Sequence, residues 1–239
     1  MDLLGAALLT FVASVVGTVT GFGTSTIMIP VLVGFLAPVE AIFLVSIIHW
    51  FGDLWKVTLF RRGFSFRLLL LFGVVGLATS YVGASVTLGA NAALLLRGLG
   101  AFLIAYALLV VFQSRFRVPA GNAAALGGGA LSGFFAGLFG IGGAIRAVFL
   151  SAFGLPKAVY IATAGAIGLL VDSMRIVTYA AGDAMLPNRL WWGLLLLIPV
   201  SFFGARVAKR VVERIPERRF RLAVAFFLAL VGLKLIVLP

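Results

Sequence analysis

Cysteine is absent from this chain, and histidine occurs once, at His49. Disulfides, thiolate metal centres, cysteine nucleophiles and histidine-rich metal sites are thereby excluded. Acidic residues number only 7 in 239, and no HExxH, GxSxG or paired-carboxylate metal motif occurs. The chain is therefore not expected to be an enzyme or to carry a cofactor or metal. Charged residues of both signs make up 11% of the chain, against about 25% in soluble domains. The start, Asp2-Leu3-Leu4, lacks the basic segment of a signal peptide, so the first apolar run is read as mature protein.

What fills the chain instead is apolar. Hydrophobic residues reach 63% and the mean hydropathy is +1.21, so a bilayer rather than water is the main solvent. At about 20 residues per crossing, the length allows roughly eight to ten helical segments. The net charge of +12 does not indicate nucleic acid, because the basic residues sit in short loops between apolar runs. No nucleic-acid partner is expected. The expected partners are a small anionic substrate and the lipid bilayer, with a homodimer left open.

The apolar runs are 3–36, 38–60, 66–88, 91–112, 122–155, 157–180, 190–208 and 220–238. Two of them, 3–36 and 122–155, are too long for one span and slightly short for two. Each is interrupted by glycines, Gly21-Phe22-Gly23 and Gly140-Ile141-Gly142-Gly143. Two glycine-broken hairpins, re-entrant or double-crossing, are the economical reading.

The hairpins expose a repeat. Thr20 to Thr24 aligns with Phe139 to Gly143, Pro38 with Pro156, Asp53 with Asp172, Lys56 with Arg175, and Arg97 with Arg221. An N-terminal repeat over 1–112 and a C-terminal repeat over 122–239 are predicted, joined by a cytoplasmic linker at 113–121. Each comprises a hairpin and three spanning helices. Arg61, Arg62 and Arg67 mark one loop as cytoplasmic, Arg115 and Arg117 the linker, and Lys209, Arg210, Arg214, Arg218 and Arg219 the last long loop. The basic loop 61–67 corresponds to the near-neutral loop 181–189, so equivalent loops face opposite sides and the repeats are expected to be inverted. Both termini then fall outside.

Breaks of this kind expose backbone groups that must line a cavity or bury in protein. A helix restarting after one directs N–H groups and a positive dipole end at the break, where an anion can bind. Gly21, Gly23, Thr24, Ser25 and Thr26 in the first half, and Gly140, Gly142, Gly143 and Arg146 in the second, are the candidate substrate residues. Isolated glycines need do no more than let helices pack closely. His49, Asp53 and Lys56 share one helix face, and Asp172 and Arg175 repeat the carboxylate–cation pair. Two readings of these stay open: a proton-coupling or pathway role, with His49 and Asp53 exchanging the proton, or charge pairs that only fix helix register.

On the duplicated cluster, Gly21-Phe22-Gly23 and Gly137 to Gly143, with Pro38 and Pro156 about 15 residues downstream, the chain resembles the sulfite exporter TauE/SafE family (TSUP, formerly DUF81). The resemblance spans essentially the whole chain. It implies a multi-pass transporter of the bacterial or archaeal cytoplasmic membrane for small anions, such as sulfite, sulfoacetate and other organosulfonates. Thr24 stands where the family often has more glycine, and Arg146 is a departure in the second restarting helix. A passive anion channel and an intramembrane enzyme acting on a lipid phosphate are the rival readings.

Overall fold

The computed structural model describes residues 2–60, 63–112, 118–212 and 217–238, without the side chains of 217–221 and 223. Arg61, Arg62, Arg115, Arg117 and Arg214 lie outside the described residues, as do the side chains of Arg218, Arg219 and Arg221. Among the described residues there is no strand. The chain is an all-α, multi-pass membrane protein.

Among the described residues ten helices follow in order: α1 Leu3–Thr20, α2 Ser25–Leu32, α3 Pro38–Leu59, α4 Phe66–Gly89, α5 Ala92–Phe112, α6 Asn122–Phe139, α7 Gly143–Ser151, α8 Lys157–Ala181, α9 Asn188–Val211 and α10 Glu217–Val237. Seven of them, α1, α3, α4, α5, α6, α8 and α9, are long and apolar enough to cross a membrane. The helix ends follow local chemistry. Asp2 caps α1 by accepting from the Gly5 amide at 2.9 Å. Pro38 opens α3, and Pro156 and Pro187 precede α8 and α9, positions where a fixed φ and a missing N–H cost nothing. A π-turn over Leu69–Gly73 interrupts α4.

The hairpins are asymmetric in length. Helices α1 and α6 have 18 residues each, but α2 has 8 and α7 has 9. At 1.5 Å per residue the short arms cover about 12–14 Å of a hydrocarbon core about 30 Å thick. Neither short arm is a full crossing. Gly21 and Gly140 end the long arms with φ of 74° and 72°, the left-handed conformation that glycine adopts without a Cβ penalty. The first turn folds back so tightly that the Gly23 amide donates to the Gly17 carbonyl at 3.2 Å.

Helices pack in a pattern that survives exchanging the halves. Helix α3 packs on α8, α5 on α10, and α2 touches α7, each pair joining equivalent elements. The remaining major pairs swap: α4 on α6 corresponds to α9 on α1, and α4 on α8 to α9 on α3. Small residues make these seams. Methyl groups on Gly133 or Gly137 of α6 would overlap the Gly76 and Ser80 carbonyls of α4, and Gly100 of α5 and Gly232 of α10 meet each other's carbonyls in the same way. Close backbone approach through glycine is how helices gain packing where no solvent drives them together.

Two ends of the bundle can be told apart. Arg67 donates to Asn122 Oδ1 at 2.7 Å, the Ser65 amide to Thr163 Oγ1 at 3.0 Å, and Lys157 Nζ to the Val212 carbonyl at 2.5 Å. These contacts gather the starts of α4, α6 and α8 and the end of α9, with Lys209 and Arg210 in its last turn, into a basic end. At the opposite end Asp2, Leu3, Leu32, Leu36 and Arg189 surround one recess.

Candidate functional site

Helix α3 brings His49, Asp53 and Lys56 onto one face because they are spaced by four and three residues. Helix α8, packed against it, brings Asp172 and Arg175, and α7 adds Arg146. All six side chains are 3% exposed or less. Burial of so many ionisable groups is expensive unless they neutralise one another.

They do so incompletely. Lys56 Nζ donates to Asp53 Oδ1 at 2.5 Å, and Arg175 Nη2 lies 3.0 Å from Asp172 Oδ1. Arg175 Nη1 also donates to the Ala136 carbonyl at 3.0 Å, on the last turn of α6. Arg146 Nη2 stands 3.7 Å from Asp53 Oδ2, an ion pair without a hydrogen bond. Three cations thus face two carboxylates, leaving one positive charge over with His49 neutral. Arg146 Nε, Arg175 Nε and Asp53 Oδ2 have no hydrogen-bond partner.

His49 is fixed by both carboxylates. Its Nδ1 is 2.5 Å from Asp172 Oδ2 and 3.6 Å from Asp53 Oδ2. Facing two acceptors, Nδ1 carries the proton in the neutral ring, which leaves Nε2 as an acceptor. Nε2 has no partner, and a methyl group on Gly23 would overlap it. This second ring nitrogen therefore faces the first glycine break.

The two breaks converge beside this cluster. A methyl group on Gly143 would overlap the Phe22 carbonyl, and one on Gly140 would come within 3.0 Å of Arg175 Nη1. Gly142 packs against the Ser132 carbonyl of its own hairpin, and Gly21 against Tyr160. Thr24, Ser25 and Thr26 are all buried at the start of α2. Thr26 Oγ1 is committed to its own turn, donating to the Phe22 carbonyl at 2.8 Å. Thr24 makes no side-chain capping bond, and its Oγ1 lies 3.3 Å from where a Gly52 methyl would stand.

Two features go beyond the sequence reading, which gives only that Gly168 or its neighbour stands where the second half lacks a histidine. Gly168 occupies the position in α8 that corresponds to His49 in α3. A methyl group there would overlap Asp53 Oδ2 and come within 3.1 Å of Arg146 Nη2. The missing side chain is what lets Asp53 reach toward Arg146, and the unequal repeat position was the available signal. Tyr179, fully buried, donates its hydroxyl to the Gly137 carbonyl and ties α8 to the end of α6.

His49, Asp53 and Asp172 also place one ligand atom each within 4.8 Å of one another, a spacing a metal ion could use. Lys56, Arg146 and Arg175 already hold those carboxylates, and their charge repels a further cation. Chemically, the arrangement suits an anion better: surplus positive charge, guanidinium N–H groups without partners, and glycine turns that admit a ligand close to the backbone.

The family model for sulfite exporter TauE/SafE matches residues 6–235. The chain belongs to that family of membrane permeases. No curated protein sequence matches the chain significantly.

Proposed function

Taking a TauE/SafE membrane permease as the premise, we propose that this chain is a secondary transporter, acting as an exporter of a small sulfur-containing or organic anion such as sulfite or an organosulfonate. The observation that carries this reading is the buried cluster with one surplus positive charge beside two glycine breaks. A protein does not keep an unbalanced charge in a hydrocarbon environment without a compensating ion in part of its cycle. The anion sits between the hairpin turns, held by Arg146, by the exposed N–H groups where α2 and α7 begin, and by Thr24 and Ser25.

His49 gives this site a means of coupling to protons. Proton uptake at Nε2 converts an acceptor facing Gly23 into a donor and raises the cluster's surplus from one charge to two. The groups that face the ring are Asp53 from α3 and Asp172 from α8, with Lys56, Arg175 and Arg146 behind them. Proton and anion therefore favour each other's binding, so the two move in the same direction, and the outward gradient of the anion rather than the inward proton gradient drives export. Deprotonation of the ring weakens the anion's hold and aids release.

Alternating access in this reading comes from inverted repeats in a bacterial or archaeal cytoplasmic membrane, with the basic end inside and both termini outside. Burial of all six charged side chains corresponds to a state closed at both ends, which favours a carrier over an open channel.

The test is anion flux in proteoliposomes, using sulfite and an organosulfonate with and without an imposed pH gradient. Saturable flux that responds to the gradient and is lost in Arg146→Ala is the expected result. Equal flux in wild type and Arg146→Ala would remove the site from this mechanism.

A further inference from the structure

At the basic end, a recess of about 250 Å³ opens between the end of α1 and the start of α8. Its polar lining comes from Thr20, Ser151, Lys157 and Tyr160. The floor of this recess is Tyr160, a half-buried residue in the first turn of α8. Its ring lies against the first glycine break: a methyl group on Gly21 would come within 2.7 Å of Cε1 and 2.9 Å of the hydroxyl. Its hydroxyl donates to the Ala147 carbonyl at 3.5 Å, one residue after Arg146. One side chain thus touches both hairpins, and beyond it lie Gly23 and His49 Nε2.

The equivalent place in the other half is built differently. There Gly140 is covered by Ile29 and Ile42, with a Gly140 methyl 3.3 Å from Ile42 Cγ2. Both isoleucines are 2% exposed or less. One break is covered by two buried aliphatic side chains beside the Arg175 guanidinium, the other by a phenol with a polar recess outside it.

From this contrast we propose that Tyr160 is the gate between the anion site and the basic face, and that the recess beside Lys157 is the vestibule through which the anion passes on that side. The proposal rests on the transport reading above for its cargo, but not for its geometry. The Tyr160 ring is half-buried and lines the recess, whereas Ile29 and Ile42 are fully enclosed and can move only if the packed helices around them move. Movement of the ring away from Gly21 uncovers that break and breaks the 3.5 Å hydroxyl bond to the Ala147 carbonyl, next to Arg146. Lys157 stands at the mouth and draws anions in.

Because the chain has no cysteine, a single Ser25→Cys substitution supplies a clean reporter inside the site. Its labelling by a small charged thiosulfonate reagent is measured in the full-length protein in oriented proteoliposomes, with the reagent on one face at a time. Adding Tyr160→Ala is expected to raise the rate from the basic face about tenfold, the shift a lost aromatic contact of ordinary strength produces, and to leave the opposite face unchanged. Tyr160→Phe, which keeps the ring and the fold, gives a smaller rise on the same face. Ile42→Ala raises labelling from the opposite face. In flux assays, Lys157→Gln weakens the anion's apparent affinity from the basic face about threefold. Parental labelling in Tyr160→Phe, together with parental or opposite-face labelling in Tyr160→Ala, overturns the gate. Should Tyr160→Ala not fold, Tyr160→Phe decides alone. Labelling reads the pathway and flux reads the cargo. A gate that opens while Arg146→Ala transports normally would keep the gate and discard the anion site.

Discussion

The two halves of the chain place a carboxylate at equivalent points, Asp53 on α3 and Asp172 on α8, yet give each a different neighbour. Asp172 meets the His49 ring at 2.5 Å, while Asp53 reaches across Gly168 toward Arg146 at 3.7 Å. One carboxylate is closed by a short contact to a titratable ring. The other keeps an oxygen without a hydrogen bond beside a guanidinium that is also incompletely bonded. In the proposed transport cycle one difference, histidine against glycine at matched positions, sets a proton side against an anion side.

The largest effect is expected where the surplus charge is removed. Arg146→Ala leaves Asp53 with Lys56 and His49 and should lower anion flux about a hundredfold, in keeping with the roughly 1.5–3 kcal/mol of a hydrogen bond to a charged group. Arg146→Lys, with the charge kept and the planar fork lost, should recover part of the flux. Proteoliposome flux and a thermal-unfolding scan together separate the site from the fold. Gly23→Ala comes next, because its φ of 84° and the overlap with His49 Nε2 act together. About 1–3 kcal/mol of destabilisation is expected, read as a lower unfolding temperature with loss of the pH response.

Gly168→Ala directly attacks the comparison. It pushes Asp53 off its place near Arg146, and a fall in anion affinity of about tenfold should accompany about 1–3 kcal/mol of strain. An unchanged affinity would show that the empty position opposite His49 has no part in dividing the halves. His49→Gln has a smaller effect, because the Asp53–Lys56 and Asp172–Arg175 pairs stay in place. Its signature is the pH profile: wild-type affinity rises as pH falls, because protonation adds positive charge, and the variant's affinity stays flat. Asp2→Ala, remote from the cluster, should cost only about 1 kcal/mol by removing the cap of α1 and leave flux unaltered.

Much of the architecture is legible from periodicity and punctuation alone. Apolar length predicts the spanning helices, and the over-long runs with central glycines mark Gly21 and Gly140, where the chain does turn with positive φ. The i, i+3 spacing gives Asp53–Lys56 and Asp172–Arg175 as pairs within their helices, and both occur. Spacing within a helix says nothing about which other helix it will meet. So the His49–Asp172 contact, 123 residues apart in sequence, and the role of Gly168 come only from packing. Arg146 likewise reads as free for substrate in the sequence, whereas it stands beside Asp53 in the fold. Thr26 reads as a ligand hydroxyl but satisfies the turn that the glycine break leaves open. Tyr160 carried no signal, since an aromatic near a helix start is ordinary in a membrane protein.

The glycine seams between α4 and α6, and the matching contact of α9 with α1, carry a consequence for how the chain divides mechanically. Each hairpin's long arm is locked, backbone to backbone, to a helix of the other half. The mechanical units are therefore chimeras that trade one helix across the duplication, while the two sequence halves are linked along the chain only by residues 113–121. Severing that loop and producing the halves together should give back an assembled, working carrier. A half made by itself would leave its glycine face with only lipid to meet, and should not persist.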